Sequence, residues 1–69
     1  MAYEVQVHED GDAEVRAVPK GHTSVDTLVF DTVYDVRQEL TSYGHDKEVV
    51  DAACNKLQTE AVLYQWVKV

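Results

Sequence analysis

The sequence predicts an α+β domain of order ββααβ, a three-stranded antiparallel sheet with two helices packed on one face. Three observations predict it. Two short segments near the N-terminus alternate apolar and polar residues around an Asp-Gly turn. Two central segments carry apolar residues at helical spacing, with capping residues at their starts and Gly44 between them. The last nine residues are rich in β-branched and aromatic side chains.

The first strand covers residues 2 to 8. Tyr3, Val5 and Val7 share one face, and Glu4, Gln6 and His8 share the other. Residues 13 to 18 alternate again, with Ala13, Val15 and Ala17 apolar. A two-residue Asp10-Gly11 turn would pair Val7 with Glu14 and mix the faces. A three-residue loop over Asp10, Gly11 and Asp12 pairs Val7 with Val15 and Val5 with Ala17, which keeps the apolar set together. Glu14 and Arg16 then join Glu4, Gln6 and His8 on a solvated sheet face.

Pro19 and Gly21 end the second strand. Thr23-Ser24-Val25-Asp26 fits a capping box, so the first helix is expected from there to about Tyr43, with Gly44 past its end. Val25, Leu28, Val29, Val33, Val36, Leu40 and Tyr43 form its apolar stripe. Asp46 is the expected cap of a second helix reaching about Gln58, with Val49, Val50, Ala53 and Leu57 inward. Ala61 to Val69 reads as the third strand. Apolar groups fall on both of its faces, which suits a central strand with Trp66 flat across the open side, or a contact surface made by Tyr64 and Trp66.

Composition bounds the function. Sixty-nine residues form one domain, 1–69. A chain this short leaves a thin stability margin, and its single cysteine excludes an internal disulfide. That usage fits a reducing cytoplasm. No apolar run follows Met1 and none is long enough for a membrane span, so neither a secretory signal nor an anchor is expected. The chain has many Val and no Ile, a bias that a GC-rich or salt-adapted source would produce. Thirteen acids against six Lys and Arg leave a net charge of −7. There is no basic stripe for a phosphate backbone, so direct nucleic-acid binding is not expected.

Candidate chemistry is sparse. His8, His22, His45 and Cys54 lack ligand spacing, so no metal and no cofactor is expected. Cys54 reads as a small buried hydrophobe with no neighbouring base to activate it. No catalytic constellation stands out, and the chain does not read as an enzyme.

Two constellations point instead to a protein partner. On the long first helix, Asp31, Asp35 and Glu39 fall at i, i+4 and i+8, an acidic row that opposes the helix unless something basic meets it. Phe30 and Tyr34, one turn apart, would supply apolar anchors beside that row. The expectation is an acidic interaction module that occupies a basic, nucleic-acid-binding surface of a larger complex, as phage-encoded anti-defence and anti-CRISPR inhibitors do. Its contact residues would be Asp31, Asp35, Glu39, Phe30 and Tyr34, with Tyr64 and Trp66 as a second patch. The alternatives are a homo-oligomeric structural or regulatory domain, possibly a homodimer through those aromatics, and a salt-adapted domain whose acids are uncommitted.

Overall fold

The computed structural model describes residues 1–60 and 63–69. It is an α+β domain with the order β1 (Ala2–Val7), β2 (Ala13–Val18), β3 (Leu28–Phe30), α1 (Val33–Ser42), α2 (Lys47–Thr59) and β4 (Val67–Lys68). Among the described residues the antiparallel sheet has four strands rather than three, in the order β3-β1-β2-β4.

The β1–β2 hairpin keeps the expected faces but not the expected register. Val5 pairs with Val15 and Val7 with Ala13. His8 N–H donates to the Asp12 carbonyl at 2.7 Å, and Gly11 N–H to the His8 carbonyl at 3.0 Å. The loop is therefore Glu9-Asp10-Gly11, shifted by one residue from the expected Asp10-Gly11-Asp12. Gly11 sits at φ +89°. A three-residue hairpin loop places its left-handed residue last, and glycine takes that conformation without a Cβ clash. The pairing slips by two residues, so the alternation survives.

The largest departure is in the middle. The expected helix from Ser24 to Tyr43 divides into an extended segment, β3, and the shorter α1. Leu28, Val29 and Phe30 pair with Val5, Glu4 and Tyr3 along the outer edge of β1. The Thr23–Asp26 box caps no helix: Asp26 N–H donates to Ser24 Oγ at 3.3 Å, and Val25 is 99% exposed. The working cap is Thr32, eight residues beyond Ser24. Its hydroxyl accepts from Asp35 N–H at 3.1 Å and donates to Asp35 Oδ2 at 2.9 Å.

Gly44 ends α1 as expected, at φ +88°. Its N–H reaches the Thr41 carbonyl at 3.0 Å, and His45 N–H reaches the Leu40 carbonyl at 3.3 Å. Those two bonds make a Schellman motif. Asp46 is the N-cap residue of α2, although its side chain makes no cap bond.

Both helices lie on one face of the sheet. Val36 and Leu40 of α1 and Val50, Ala53, Cys54 and Leu57 of α2 pack with Val5, Ala13 and Val15. Cys54 is buried where Val49 was the expected inner residue, and Val49 and Tyr43 are exposed. Turning Val49 outward lets Val50, Ala53, Cys54 and Leu57 form a single stripe spaced three and four residues apart.

The C-terminal strand is short and peripheral. Val67 pairs with Val15 and Lys68 with Glu14, so β4 is an edge strand and not a central one. Val67 and Val69 pack against the core. Ala61 and Val62 of the expected strand lie outside the described residues. Leu63 bridges Ala17 in parallel orientation, whereas β4 runs antiparallel to β2. The chain reverses between them at Tyr64, whose φ of +65° is left-handed.

Candidate functional site

The expected acidic row is redistributed by the shortened helix. Asp35 and Glu39 stand one turn apart on α1. Asp31 precedes the extended cap residue Thr32 and so lies off the helix, where the i, i+4, i+8 geometry does not extend. The acids of the row make no ion pair among the described residues. Asp35 is held by Thr32, and Asp31 is exposed. The expected aromatic pair is also separated. Phe30 belongs to β3 and packs against the core, whereas Tyr34 in the first turn of α1 is 67% exposed. One apolar anchor, not two, stands beside the acids.

Tyr64 and Trp66 take part in a different constellation, on the sheet face opposite the helices. That face was expected to be solvated. It instead buries Ala2, Val18 and Glu4, the last at 1% exposure. Cross-strand pairing places Glu4 opposite Arg16. Arg16 Nη2 donates to Glu4 Oε1 at 2.8 Å. The segment after β2 brings His22 over the same face, with Nε2 2.8 Å from Glu4 Oε2. That separation is close enough for ion pairing, but the contact lies outside good hydrogen-bond geometry.

Aromatic rings close the cluster. The guanidinium carbon of Arg16 lies 4.2 Å from the Trp66 ring centroid and 5.5 Å from that of Tyr64. The Tyr64 ring meets His22 edge-on at 6.2 Å. A cation between a carboxylate and aromatic faces is stabilised both by charge and by the ring quadrupoles. Arg16 Nε remains buried without an acceptor. This arrangement joins β1, β2, the segment after β2 and the C-terminal return. It orders the open face and leaves Trp66 only partly available to a partner.

Sequence reasoning missed this cluster because of the register. With Val7 opposite Val15, Arg16 would face Gln6 and Glu4 would face Val18. In the observed register Glu4 and Arg16 form an opposite-charge cross-strand pair, the signal that the correct loop would have exposed.

His8 Nε2 lies 2.8 Å from Glu14 Oε1, and two further pairs, made by Arg37 and Lys68, consume surface charge. Arg37 of α1 bonds Asp51 of α2, and the hydrogen bond to Asp51 holds the Arg37 guanidinium pKa above its ordinary value. Lys68 Nζ lies 3.3 Å from Asp12 Oδ2. Cys54 is buried beneath the helix pair, and its burial raises the thiol pKa. No group of His, Cys, Asp and Glu among the described residues has the geometry to hold a metal. No helix there is long and apolar enough to cross a membrane.

The chain matches no protein-family model, none of the curated proteins and none of the solved structures with which it was compared.

Proposed function

We propose that the chain is an acidic protein-interaction module whose α1 surface binds a basic surface of a larger complex. The kind of basic surface favoured is one that handles nucleic acid, occupied as anti-defence and anti-CRISPR inhibitors occupy theirs. The observation that carries this reading is the state of the charges around α1. Asp31, Asp35 and Glu39 lie within nine residues, none is ion-paired among the described residues, and exposed Tyr34 stands among them. Glu4, Asp12 and Asp51 are matched internally by Arg16, Lys68 and Arg37. Glu9, Asp10, Asp26, Asp46, Glu48 and Glu60 are unpaired among the described residues, as the α1 acids are. What distinguishes the α1 group is exposed Tyr34 between its acids. An exposed aromatic within an unmatched acidic rim suits an anchor-and-rim contact, in which the ring supplies affinity and the charges steer association. No covalent chemistry is assigned to the chain. A homo-oligomer through Tyr64 and Trp66 is the weaker alternative, since Trp66 already covers Arg16.

An affinity capture from the native host tests the reading. Wild-type chain is compared with the triple variant Asp31→Asn, Asp35→Asn, Glu39→Gln, with matched circular dichroism as the folding control. The expected result is a basic partner whose capture weakens as salt rises through the screening range and fails with the triple variant. Equal capture by both proteins would show that the acidic surface is not the contact.

A further inference from the structure

We propose that the cleft between the end of α1 and the start of α2 binds a small organic anion, a carboxylate on a compact apolar body. The cleft has a volume of about 370 Å³ and is lined by Arg37, Gln38, Thr41, His45, Lys47 and Val50. That volume lies near the lower end of small-molecule pockets, roughly 300–1,000 Å³, so the occupant is small. The lining holds Arg37, Lys47 and His45 and no acid, on a chain whose net charge is −7. Asp51 offsets Arg37, so Lys47, which makes no ion pair among the described residues, is the cleft's uncompensated cation.

Three structural details favour an anion in this place. His45 Nε2 is buried and has no hydrogen-bond partner among the described residues. A buried polar atom in that state gains from any ligand that meets it. Asp46 caps α2 in position but not through its side chain, which leaves first-turn N–H groups beside Lys47 without that partner. Asp51 engages Arg37 through Nη1 alone, and a guanidinium has further donors to offer. Val50, buried at the base of α2's first turns, gives the apolar contact that distinguishes an organic anion from an inorganic one.

The test is a titration of the full chain with benzoate at fixed ionic strength, followed by amide chemical shifts. The expected result is saturable shifts confined to Gln38, Thr41, His45, Lys47 and Val50, with a dissociation constant of about 1 mM or tighter. Lys47→Gln and His45→Ala should each weaken binding by about tenfold, and Lys47→Glu should abolish it. Lys47 is exposed, so its variants stay informative if the His45 change unfolds the chain. The Asp31, Asp35, Glu39 triple variant should bind benzoate as wild type does, which separates this site from the proposed partner surface. Absence of saturable shifts, equal binding by both Lys47 variants, or equally strong shifts from inorganic phosphate in place of benzoate would overturn the proposal.

Discussion

Glu4 and Arg16 face each other across the β1–β2 ladder, and their side chains meet at 2.8 Å on the sheet face away from the helices. The carboxylate is almost wholly buried, with His22 on its second oxygen and Trp66 over the guanidinium that it binds. A buried pair of this kind is weak evidence of net stabilisation, but removing one partner alone strands the other.

Breaking the pair on one side should therefore be severe. Glu4→Leu is expected to cost about 3–5 kcal/mol, a large share of the total stability of a small domain. Glu4→Gln, which keeps an acceptor, should cost less. The double variant Glu4→Leu, Arg16→Leu should recover much of the loss. Urea unfolding of the four proteins gives the coupling energy. Trp66, the only tryptophan, reports the same site by fluorescence. A loss in the double variant equal to the sum of the losses in Glu4→Leu and Arg16→Leu would deny the coupling.

The start of α1 can be located by mutation. Thr32→Ala removes the hydroxyl that accepts from Asp35 N–H, and should cost about 1 kcal/mol. Thr23→Ala and Ser24→Ala should change stability by less than about 0.5 kcal/mol, because no helix begins there. Shifts in urea midpoint compare the three. A larger loss at Ser24 than at Thr32 would place the helix start at the earlier box.

Cys54 carries an alkaline prediction. Burial, the largest cause, raises its folded-state pKa above the unfolded value, which is about 8.5. The folded state then holds its proton to higher pH than the unfolded state does. Its contribution to stability is complete below about pH 8 and declines as pH rises through the folded pKa. Unfolding free energies at pH 7 and pH 10 should differ more for wild type than for Cys54→Ala. Native Cys54 should also resist a thiol reagent that labels the urea-unfolded chain at once. An identical pH dependence in the two proteins would show that the thiol does not contribute.

Much of the architecture is legible residue by residue. Alternation at Tyr3, Val5 and Val7 predicts a strand whose neighbours lie on one face, and Val5 is in the core. Gly44 predicts the end of α1, because only a residue tolerant of positive φ closes a Schellman turn there. The stripe of Val50, Ala53 and Leu57 predicts α2 to within a residue or two of its observed limits. Leu28, Val29 and Phe30 were not legible in the same way. They fit a helical stripe and also form a β-prone run, and local sequence does not choose between the two. Two Thr-initiated boxes precede α1, at Thr23 and Thr32, and both end in Asp. The difference between them lies in what each leaves for the edge of β1.

The candidate sites divide along the same line. Asp35 and Glu39 were legible as neighbours because helix periodicity relates residues four apart. The Glu4, Arg16, His22 and Trp66 cluster was not, since its members come from four separate stretches of chain and meet only in one hairpin register. Gln38, Thr41, His45 and Lys47 likewise share a cleft only because the Schellman turn folds α2 back beside α1.

The sequence by itself determined the α+β class, the faces of the hairpin, the extent of α2 and the acidic balance, because each depends on short-range periodicity, a glycine or composition. The tertiary structure decided that Leu28–Phe30 completes the sheet at β1's outer edge, and that the polar face of β1 and β2 is covered at Glu4 and Arg16 while Gln6, His8 and Glu14 stay partly exposed. Both outcomes depend on partners distant in sequence. An open strand edge has backbone groups to satisfy, and a buried carboxylate persists only where Arg16 and His22 arrive together.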